Sequence, residues 1–325
     1  MKIIIPAAGY GSRLRPHTYL TPKALLPVAG KPILHHIIRR AQDWGGDRFT
    51  IVCGSLGEKI EAFVRSQFDL EVDFRQQDQP LGLGQAVRLA IDPDDREVLI
   101  ILGDTILEAD LKPFLSTGIT TLGVKSVADP SKVGVVVMDN GRVVRLVEKP
   151  TEPVSNLAIV GVYFIRDAQL LARAIDMIVE RGIQVKNQYQ ITDALQLMLD
   201  WGETMKVVPI EGWFDCGRPD TLLETNRHLL SQDGGEILEP ECIDSVIIPP
   251  VHISPRCKLK RSIVGPYVSM GELCQLNNVI IRDSILGDRV IIEEIILEKT
   301  LIGSRAEVRQ QFRQINLGSS SWIRL

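Results

Sequence analysis

Residues 3–16 read IIIPAAGYGSRLRP, and residues 21–27 read TPKALLP. The β-branched triplet at 3–5 predicts a buried strand, and the small residues after it let backbone N–H groups approach an anion without interference from a Cβ atom. Arg13 supplies a forked donor for phosphate oxygens, and Lys23 supplies a compact positive charge. We therefore predict a phosphate-binding loop directly after the first strand.

The spacing of this loop differs from that of two common glycine-rich motifs. A Walker loop ends in Gly-Lys-Ser/Thr, which is missing here, and Leu14 stands where a dinucleotide-binding fingerprint has its third glycine. Gly9 and Gly11 alone are also compatible with a plain turn between a strand and a helix. The basic residues and prolines in register with them, at positions 13, 23, 27, 31 and 32, favour the phosphate-binding interpretation.

The pattern A-A/G-G-x-G-S/T-R-L-x-P, followed by P-K-x-L-L-P-V-x-x-K-P-I, resembles that of the sugar-1-phosphate nucleotidyltransferases. These enzymes make nucleotide sugars from a nucleoside triphosphate and a sugar 1-phosphate. The resemblance implies a nucleotide-binding loop formed by Ala8, Gly9, Gly11, Ser12 and Arg13. It further implies that Arg13 binds the triphosphate and steadies the pyrophosphate leaving group, while Lys23 meets the α-phosphate or the attacking phosphate.

Composition narrows the class of protein. The chain has 325 residues, 45% of them hydrophobic, and a mean hydropathy of +0.08, as expected of a globular protein long enough for two domains. Its net charge of −4 gives no electrostatic reason to expect nucleic acid or an anionic membrane as a partner. No apolar run approaches the roughly 20 residues of a membrane span, and no signal-peptide pattern is present, so we expect a cytoplasmic protein. Five cysteines without C-x-x-C spacing predict neither a disulfide framework nor a zinc site.

The first two thirds of the chain alternate strand and helix patterns. Strands are predicted at 3–5, 49–53, 72–75 and 98–102, and helices at 33–44, 57–67 and 83–91. Such alternation implies a mainly parallel sheet covered by helices, which becomes mixed further along the chain. We therefore predict an α/β fold with a Rossmann-like nucleotidyltransferase domain. Ligands collect at the carboxyl ends of parallel strands, so the loops after the first, third and fourth strands should face one crevice.

Residues 77–86, QDQPLGLGQA, resemble the segment of this family that reads the nucleobase. The resemblance implies nucleotide-binding roles for Gln77, Pro80 and Gly82. A glutamine amide offers both a donor and an acceptor, which suits the paired carbonyl and N–H of uracil or thymine. A polar turn that caps the following helix is an equally simple interpretation of these residues.

Two aspartates are candidate metal ligands. Asp104 ends an apolar strand in the run LGD, and Asp215 lies in the run WFDCG, which resembles the family's W-x-D-T-G signature with Cys216 in place of threonine. Mg²⁺ prefers one or two carboxylates together with phosphate oxygens. The resemblance thus implies Mg²⁺ as the cofactor, held by Asp104 and Asp215; the plainer alternative is that Asp104 caps a helix.

Residues 148–156, EKPTEPVSN, give the most specific match to the family, nearest to its glucose-1-phosphate thymidylyltransferase branch. The resemblance implies that Glu148 accepts hydrogen bonds from sugar hydroxyls and that Lys149 is a catalytic residue that holds the sugar phosphate. It also implies that Gly134 lets the backbone approach the sugar and that Ile159 lines this site. Taken alone, the Glu148–Lys149 pair would be a surface ion pair in most proteins.

The apolar pattern changes near residue 236. Aliphatic residues then recur every six positions, at Ile247, Ile253 and Leu259, in a shifted phase at Leu273, Val279, Ile285, Ile291 and Leu297, and finally at Ile302 and Val308. This period resembles the hexapeptide repeat of a left-handed parallel β-helix; an ordinary β-rich appendage is the alternative. We predict a catalytic domain at 1–232 and a short β-helix domain with a C-terminal tail at 233–325.

The resemblance implies in-line attack of a sugar 1-phosphate, most simply glucose 1-phosphate, on the α-phosphorus of dTTP or UTP. Ala8 replaces a glycine usual in thymidylyltransferases, and this substitution suggests use of both pyrimidines. The alternatives are uridylyl, cytidylyl or guanylyl transfer to another sugar 1-phosphate, or a non-catalytic regulatory homologue. The last alternative is disfavoured by the retention of Arg13, Lys23, Asp104, Lys149 and Asp215. We expect a homo-oligomer whose partners are the two substrates, with no nucleic acid and no membrane.

Overall fold

The computed structural model describes residues 1–310, excluding the side chain of Pro113. The described residues form two compact units. The first comprises Met1–Leu26 and Lys31–Leu222, and the second comprises Pro27–Gly30 and the described residues from Leu223 onward. Residues 311–325, part of the predicted β-helix domain and its tail, lie outside the described residues, and the predicted boundary at 232/233 stays a prediction.

The strands that precede residue 219 are β1 (Lys2–Ala7), β2 (Pro27–Val28), β3 (Lys31–Pro32), β4 (Arg48–Cys53), β5 (Glu71–Gln76), β6 (Val98–Ile101), β7 (Thr105–Glu108), β8 (Thr120–Ser126), β9 (Gly134–Asp139), β10 (Arg142–Glu148), β11 (Leu157–Ile165), β12 (Met205–Pro209) and β13 (Gly212–Asp215). The helices are α1 (Ile33–Asp43), α2 (Gly57–Gln67), α3 (Leu83–Ala90), α4 (Lys112–Leu115), α5 (Ala168–Glu180), α6 (Ile191–Asp200) and α7 (Pro219–Asp233). Short 3₁₀ helices lie at Ser12–Leu14, His17–Tyr19 and Lys23–Leu25.

One mixed sheet organises the first unit. In the described residues it has nine strands in the order β10-β9-β11-β6-β1-β4-β5, with β8 joining β11 to β12. β1 is parallel to β4 and β6, and β4 is parallel to β5, whereas β11 runs antiparallel to β6. The predicted mixed, mainly parallel sheet is confirmed. The carboxyl ends of β1, β4, β5 and β6 lie at one edge, as strand–helix alternation requires.

The sheet is held by apolar burial on both faces. Ile3, Ile4 and Ile5 are fully buried in β1, because a central parallel strand is covered by helices on each side. Helix α1 presents one apolar face, since its buried residues recur three or four positions apart. No helix among the described residues combines the length and apolar character needed to cross a membrane.

Charged side chains are buried at the opposite edge of this sheet. The Lys2 ammonium lies 2.5 Å from a carboxylate oxygen of Asp95 and 2.7 Å from one of Asp92. The second oxygen of Asp95 accepts a hydrogen bond from Arg48 at 2.6 Å. Lys2 and Asp95 are almost completely buried, so this network joins the starts of β1 and β4 and leaves no charge without a partner.

The strands that follow residue 240 are β14 (Glu241–Ile243), β15 (Val246–Ile247), β16 (Val251–Ile253), β17 (Lys258–Lys260), β18 (Ile263–Val264), β19 (Val268–Met270), β20 (Gln275–Arg282), β21 (Ser284–Leu286), β22 (Ile291–Glu298), β23 (Leu301–Ile302) and β24 (Glu307–Arg309). Their pairings are parallel and join residues 16 or 17 positions apart, as in Glu241↔Lys258 and Gln275↔Ile291. The second unit is therefore a stack of parallel coils with an apolar interior.

The six-residue period locates most of this interior but misses three positions. Leu273 adopts a left-handed backbone conformation, with φ of 60°, and Cys274 is the buried residue beside it. Ile285 is in register with Ser269, whose hydroxyl bonds to Asn226, and Leu286 belongs to the interior instead. Ile291 is in register with the exposed Gln275, and Ile292 points into the core instead. The prediction is wrong by one residue at all three places, because side chains alternate along each strand and a turn residue shifts the phase.

The second unit also contains a buried asparagine whose side chain forms three hydrogen bonds. Asn226 is fully buried, and its Oδ1 accepts hydrogen bonds from the backbone N–H of Ala29 at 2.9 Å and from the Ser269 hydroxyl at 2.6 Å. Its Nδ2 donates to the carbonyl of Tyr267 at 3.2 Å. These bonds fix the middle of α7 and the turn at Pro27–Gly30 against one coil.

Candidate active site

A cleft of about 310 Å³ opens at the carboxyl edge of the sheet. Its lining comes from the loops after β1, β5 and β6, as predicted, and from the segment before α6. Of the predicted site residues it contains Ala8, Gly9, Lys23, Gln77, Pro80, Gly82 and Asp104. This volume lies at the lower end of the range typical of small-molecule sites.

The phosphate loop combines a rigid turn with an open one. Gly11 has φ of +60°, and a Cβ atom there would lie 2.8 Å from Cγ2 of Thr18, so glycine is required. The Thr18 hydroxyl donates to the Gly11 carbonyl at 2.9 Å. A Cβ atom on Gly9 would meet no described atom within 4 Å, so its backbone is accessible from the cleft. Ser12 and Arg13 follow on an exposed 3₁₀ turn.

Gln77 lies in the cleft, but part of its amide is already engaged. Its Nε2 donates to the Gly82 carbonyl at 3.2 Å and also contacts Oε1 of Gln85. Its backbone N–H donates to the Cys53 carbonyl at 2.8 Å. Gln77 therefore orders the loop that contains Pro80 and Gly82, and any hydrogen bond from its Nε2 to a base requires one of these contacts to change.

Two glutamines that the sequence reasoning missed also line the cleft. Gln188 and Gln190 lie just before α6, and Gln190 is almost fully buried. Their segment is held against the Gly82 loop, because the Tyr189 N–H donates to the Leu81 carbonyl at 2.8 Å. Gly82 has φ of +116°, and a Cβ atom there would lie 2.5 Å from the Tyr189 carbonyl oxygen. The run YQITD, residues 189–193, was the available signal for Gln190 and does not include Gln188.

Lys23 and Asp104 form an ion pair beside the phosphate loop. The Lys23 ammonium contacts one carboxylate oxygen of Asp104, and the Thr105 hydroxyl donates to the other at 3.4 Å. Burial raises the pKa of Asp104, but the charge and hydrogen bond of Lys23 outweigh burial, so the pKa lies below its usual value. Asp104 is therefore a carboxylate at neutral pH.

Asp215 lies next to this ion pair, although 111 positions separate it from Asp104 along the chain. Strand β13 pairs with β7 so that Asp215 faces Thr105, and the Cys216 N–H donates to the Asp104 carbonyl at 3.0 Å. Burial and the negative charge of Asp104 together raise the pKa of Asp215. Asp215 is thus close enough to Asp104 for the charge of Asp104 to affect it.

Gly217 lets Arg13 approach Asp215. A Cβ atom at Gly217 would lie 2.7 Å from Oδ1 of Asp215 and 3.2 Å from a guanidinium nitrogen of Arg13. The indole N–H of Trp213, two positions before Asp215 on the same strand, is buried and finds no hydrogen-bond partner among the described residues. The W-x-D-T-G motif contains Trp213, but nothing in the sequence indicated that its indole N–H would lack a hydrogen-bond partner among the described residues.

The carboxylate oxygens of Asp104 and Asp215 fit Mg²⁺ as ligands. Residues 1–310 contain no cluster of three or more His, Cys, Asp or Glu side chains arranged for a metal ion. Two carboxylates, Asp104 and Asp215, match what a hard cation takes from a protein when phosphate oxygens supply further ligands. Lys23 would have to leave at least one Asp104 oxygen for such a cation.

Glu148 and Lys149 form a second polar cluster. Glu148 Oε2 accepts a hydrogen bond from the Thr192 hydroxyl at 2.7 Å, and Oε1 lies 2.9 Å from the Lys149 ammonium. The Glu148 side chain is only 8% exposed, so the pair is not an ordinary surface ion pair. A Cβ atom on Gly134 would lie 2.7 Å from the Thr192 hydroxyl, so glycine leaves room for these contacts. Ile159 is buried in the adjoining core.

The first turn of α6 connects the two clusters. Gln190, which lines the cleft, precedes Thr192, which donates to Glu148. Tyr163 is buried in β11, where burial and the negative charges of Glu148 and Asp104 raise its pKa. The region predicted to bind the nucleotide and the region predicted to bind the sugar are therefore close enough for charges of both, those of Asp104 and Glu148, to affect Tyr163.

The family model of nucleotidyl transferases matches residues 2–232. The low-salt glycan biosynthesis nucleotidyltransferase Agl11 of Haloferax volcanii is 31% identical over 362 residues, which cover 100% of both chains. A glucose-1-phosphate thymidylyltransferase of Streptomyces antibioticus is 30% identical over 351 residues, covering 97% of this chain and 96% of that one.

A solved structure shows the same fold. The chain resembles a Bacillus anthracis protein assigned as a glucose-1-phosphate thymidylyltransferase, with a TM-score of 0.62 and 28% identity. The match covers 73% of this chain and 97% of that one. Motifs, fold and full-length relatives agree, and the chain belongs to the nucleotidyl transferase family, as a sugar-1-phosphate nucleotidyltransferase.

Proposed function

We propose that the protein transfers a nucleoside monophosphate from dTTP or UTP to glucose 1-phosphate, releasing pyrophosphate. The observation that carries the proposal is the convergence of Arg13, Lys23, Asp104 and Asp215 beside the open backbone of Gly9. Two cations and two carboxylates at the carboxyl edge of a parallel sheet suit a polyphosphate with its counter-ion.

The proposed step is an in-line displacement. An oxygen of the sugar phosphate forms a bond to the α-phosphorus, and the bond from that phosphorus to the bridging oxygen breaks, so the electron pair leaves with pyrophosphate. The attacking oxygen is already anionic, so no general base has to remove a proton. Catalysis then depends on positioning and on neutralising charge.

Each charged residue has a role in this proposal. Arg13 binds the triphosphate and neutralises the departing pyrophosphate, and Lys23, released from Asp104, meets the α-phosphate. Lys149 holds the sugar phosphate, while Glu148, oriented by Thr192, accepts hydrogen bonds from sugar hydroxyls. Mg²⁺ held by Asp104 and Asp215 would supply further charge neutralisation at the phosphates.

The base is proposed to be a pyrimidine. Ala8, Gly9, Gly11 and Ser12 would contact the triphosphate, while the ordered loop of Gln77, Pro80 and Gly82 bounds the space for the base. The Gln77 amide already donates to Gly82. Gln188 and Gln190 therefore offer additional amide groups that could form hydrogen bonds with the edge of the base.

Three further parts of the proposal concern the whole chain. The parallel coils after residue 240 are proposed to be a left-handed β-helix within a domain at 233–325, following a catalytic domain at 1–232. We also infer a homo-oligomer. A cytoplasmic location follows from the proposed nucleoside triphosphate substrate. A non-catalytic regulatory role is disfavoured by the presence of Arg13, Lys23, Asp104, Lys149 and Asp215.

Pyrophosphate release tests the activity across a panel of nucleoside triphosphates and sugar 1-phosphates. The expected result is the highest kcat/KM with dTTP or UTP and glucose 1-phosphate. Lys149→Met should raise KM for the sugar phosphate at least tenfold and leave KM for the nucleotide near its original value, because a charge-assisted contact to phosphate is lost. Lys132→Met, at an exposed lysine, is the matched control. Absence of pyrophosphate release with every pair would reject catalysis.

A further inference from the structure

The side-chain amide of Gln77 has a fixed orientation in the cleft. Its Nε2 donates to the Gly82 carbonyl at 3.2 Å and also to Oε1 of Gln85. A backbone carbonyl oxygen can only accept hydrogen bonds, so the amide atom that faces Gly82 has to be the nitrogen. The two acceptors take both N–H groups of the Gln77 side chain, and its Oε1 is the end that stays available.

Oε1 of Gln77 is accessible from the cleft. Gln77 lines the cleft, although the residue as a whole is almost fully buried. In the described part of the chain no residue donates to this oxygen, and it is not among the polar atoms that are both shut off from solvent and without a partner. Gln77 therefore offers a base an acceptor alone, whereas its residue type would allow an acceptor and a donor.

Gln85 strengthens the hold on this orientation. It is the third residue of α3, where a glutamine commonly accepts from the N–H of the N-cap residue, here Gly82. Its Oε1 instead accepts from the Gln77 side chain, eight positions earlier in the chain. Turning the Gln77 amide over would break two hydrogen bonds and set its oxygen against two other oxygens. Without Gln85 the same turn would break one bond and oppose one oxygen.

We propose that Gln85 is a positioning residue that sets base specificity, because it holds Oε1 of Gln77 toward the base and so selects bases that present an N–H. The role rests on the proposed function, in which this cleft binds the base of a nucleotide. Uracil and thymine carry a hydrogen on N3, which Oε1 can accept. Cytosine has a lone pair on N3, so two acceptors would face each other and Oε1 would be left unpaired.

The amino group of cytosine does not repair this mismatch. It is attached to C4, beside N3, so the ring would have to slide along its edge to bring the amino group to Oε1. The ribose and phosphates of the same nucleotide would have to move with the ring. Uracil and thymine differ only at C5, away from N3, so Gln77 treats the two bases alike. The selection therefore accepts dTTP and UTP and disfavours CTP.

Binding titrations with UTP and with CTP, in the presence of Mg²⁺ and without sugar phosphate, measure this selection on the full chain. The wild type should bind UTP about 30-fold more tightly than CTP, the effect of one unsatisfied acceptor. Gln85→Met keeps the length and helix propensity of the side chain but removes the acceptor, and should reduce the preference about tenfold. Gln85→Glu keeps an acceptor and should retain the wild-type preference. Gln79→Met, at an exposed glutamine of the same loop, is the matched control.

The ratio of the two affinities separates a positioning role from a structural one. If Gln85→Met weakens binding of UTP and CTP by the same factor, the proposal is overturned, because Gln85 would then only order the loop. A wild type that binds CTP as tightly as UTP would also overturn it, and this comparison stands even if Gln85→Met fails to fold. The expected binding preference without pyrophosphate release from any substrate pair would support the role of Gln85 and reject the proposed function.

Discussion

Asp193 provides a direct test of the electrostatics around Glu148. It lies in the first turn of α6, where Gln190 is the N-cap residue, and its Oδ2 is buried and finds no hydrogen-bond partner in the described part of the chain. Burial, with the negative charge of Glu148, raises the pKa of Asp193 from 3.8 to about 6, although Lys149 lowers it in part. The perturbation is Asp193→Asn, which keeps the shape and removes the charge.

The sign and size of the effect follow from this pKa. The folded chain binds more protons than the unfolded chain between the unfolded pKa of 3.8 and the folded pKa of about 6. Wild-type stability therefore falls as the pH rises through this window. The difference corresponds to at most about 3 kcal/mol at about 1.36 kcal/mol per pKa unit, and solvent screening of this partly exposed side chain reduces the effect to about 1–2 kcal/mol. Asp193→Asn should gain about 1–2 kcal/mol above pH 6 and less than about 0.5 kcal/mol near pH 4.

Denaturant unfolding of wild type and variant, at several pH values from 4 to 8, measures this gain. Asp200→Asn is the matched control, because Asp200 is exposed at the end of the same helix and should change stability little at any pH. A variant that is less stable than wild type at pH 8, or a difference that is the same at both ends of the range, would refute the reasoning.

Three other perturbations have distinct expected outcomes. Asp104→Asn and Asp215→Asn should each lower kcat/KM by on the order of a hundredfold, and the double variant should be little worse than the poorer single one, because the two carboxylates act as a unit. Pyrophosphate release at several Mg²⁺ concentrations measures this effect. Near-normal activity of either single variant with an unchanged Mg²⁺ requirement would count against shared metal binding. Gly82→Ala should lower the unfolding midpoint, because the added Cβ atom would collide with the Tyr189 carbonyl oxygen. Gly9→Ala should fold normally and raise only KM for the nucleotide, because its Cβ atom would extend into the open cleft. Equal unfolding midpoints for the two variants would contradict this expectation. Lys2→Met should destabilise the chain by about 1–3 kcal/mol in urea unfolding, because the buried Asp95 carboxylate loses one of its two cationic partners and keeps Arg48, and a loss below about 1 kcal/mol would show that the network relaxes.

The fold of the first unit could be predicted because its signals are local. The prediction of a helix at 57–67 agrees with α2 (Gly57–Gln67), and the predicted strand at 49–53 differs from β4 (Arg48–Cys53) by one residue. Apolar runs and periodic helices depend on neighbouring residues alone. The phase of the coils at Leu273 and Ile291 could not be predicted in the same way, because it depends on where one turn residue adopts a positive φ.

The site was predictable where a motif carries its own chemistry. Lys23 and Asp104 were identified separately, but their ion pair depends on how a strand end and a distant loop pack together. The engaged amide of Gln77 and the bond from Thr192 to Glu148 are also tertiary contacts. No spacing in the sequence encodes them, so residue types could be predicted and their partners could not.

The start of α6 has a consequence for the coupling between the two proposed substrates. Gln190 lines the cleft proposed for the nucleotide, and Thr192, two residues later, holds the group proposed for the sugar. A ligand that fixes the first residue restricts the backbone that carries the second. Binding of either substrate should then change the affinity for the other by the same factor, as thermodynamic linkage requires. The coupling between the two substrates would therefore be a property of one helical turn.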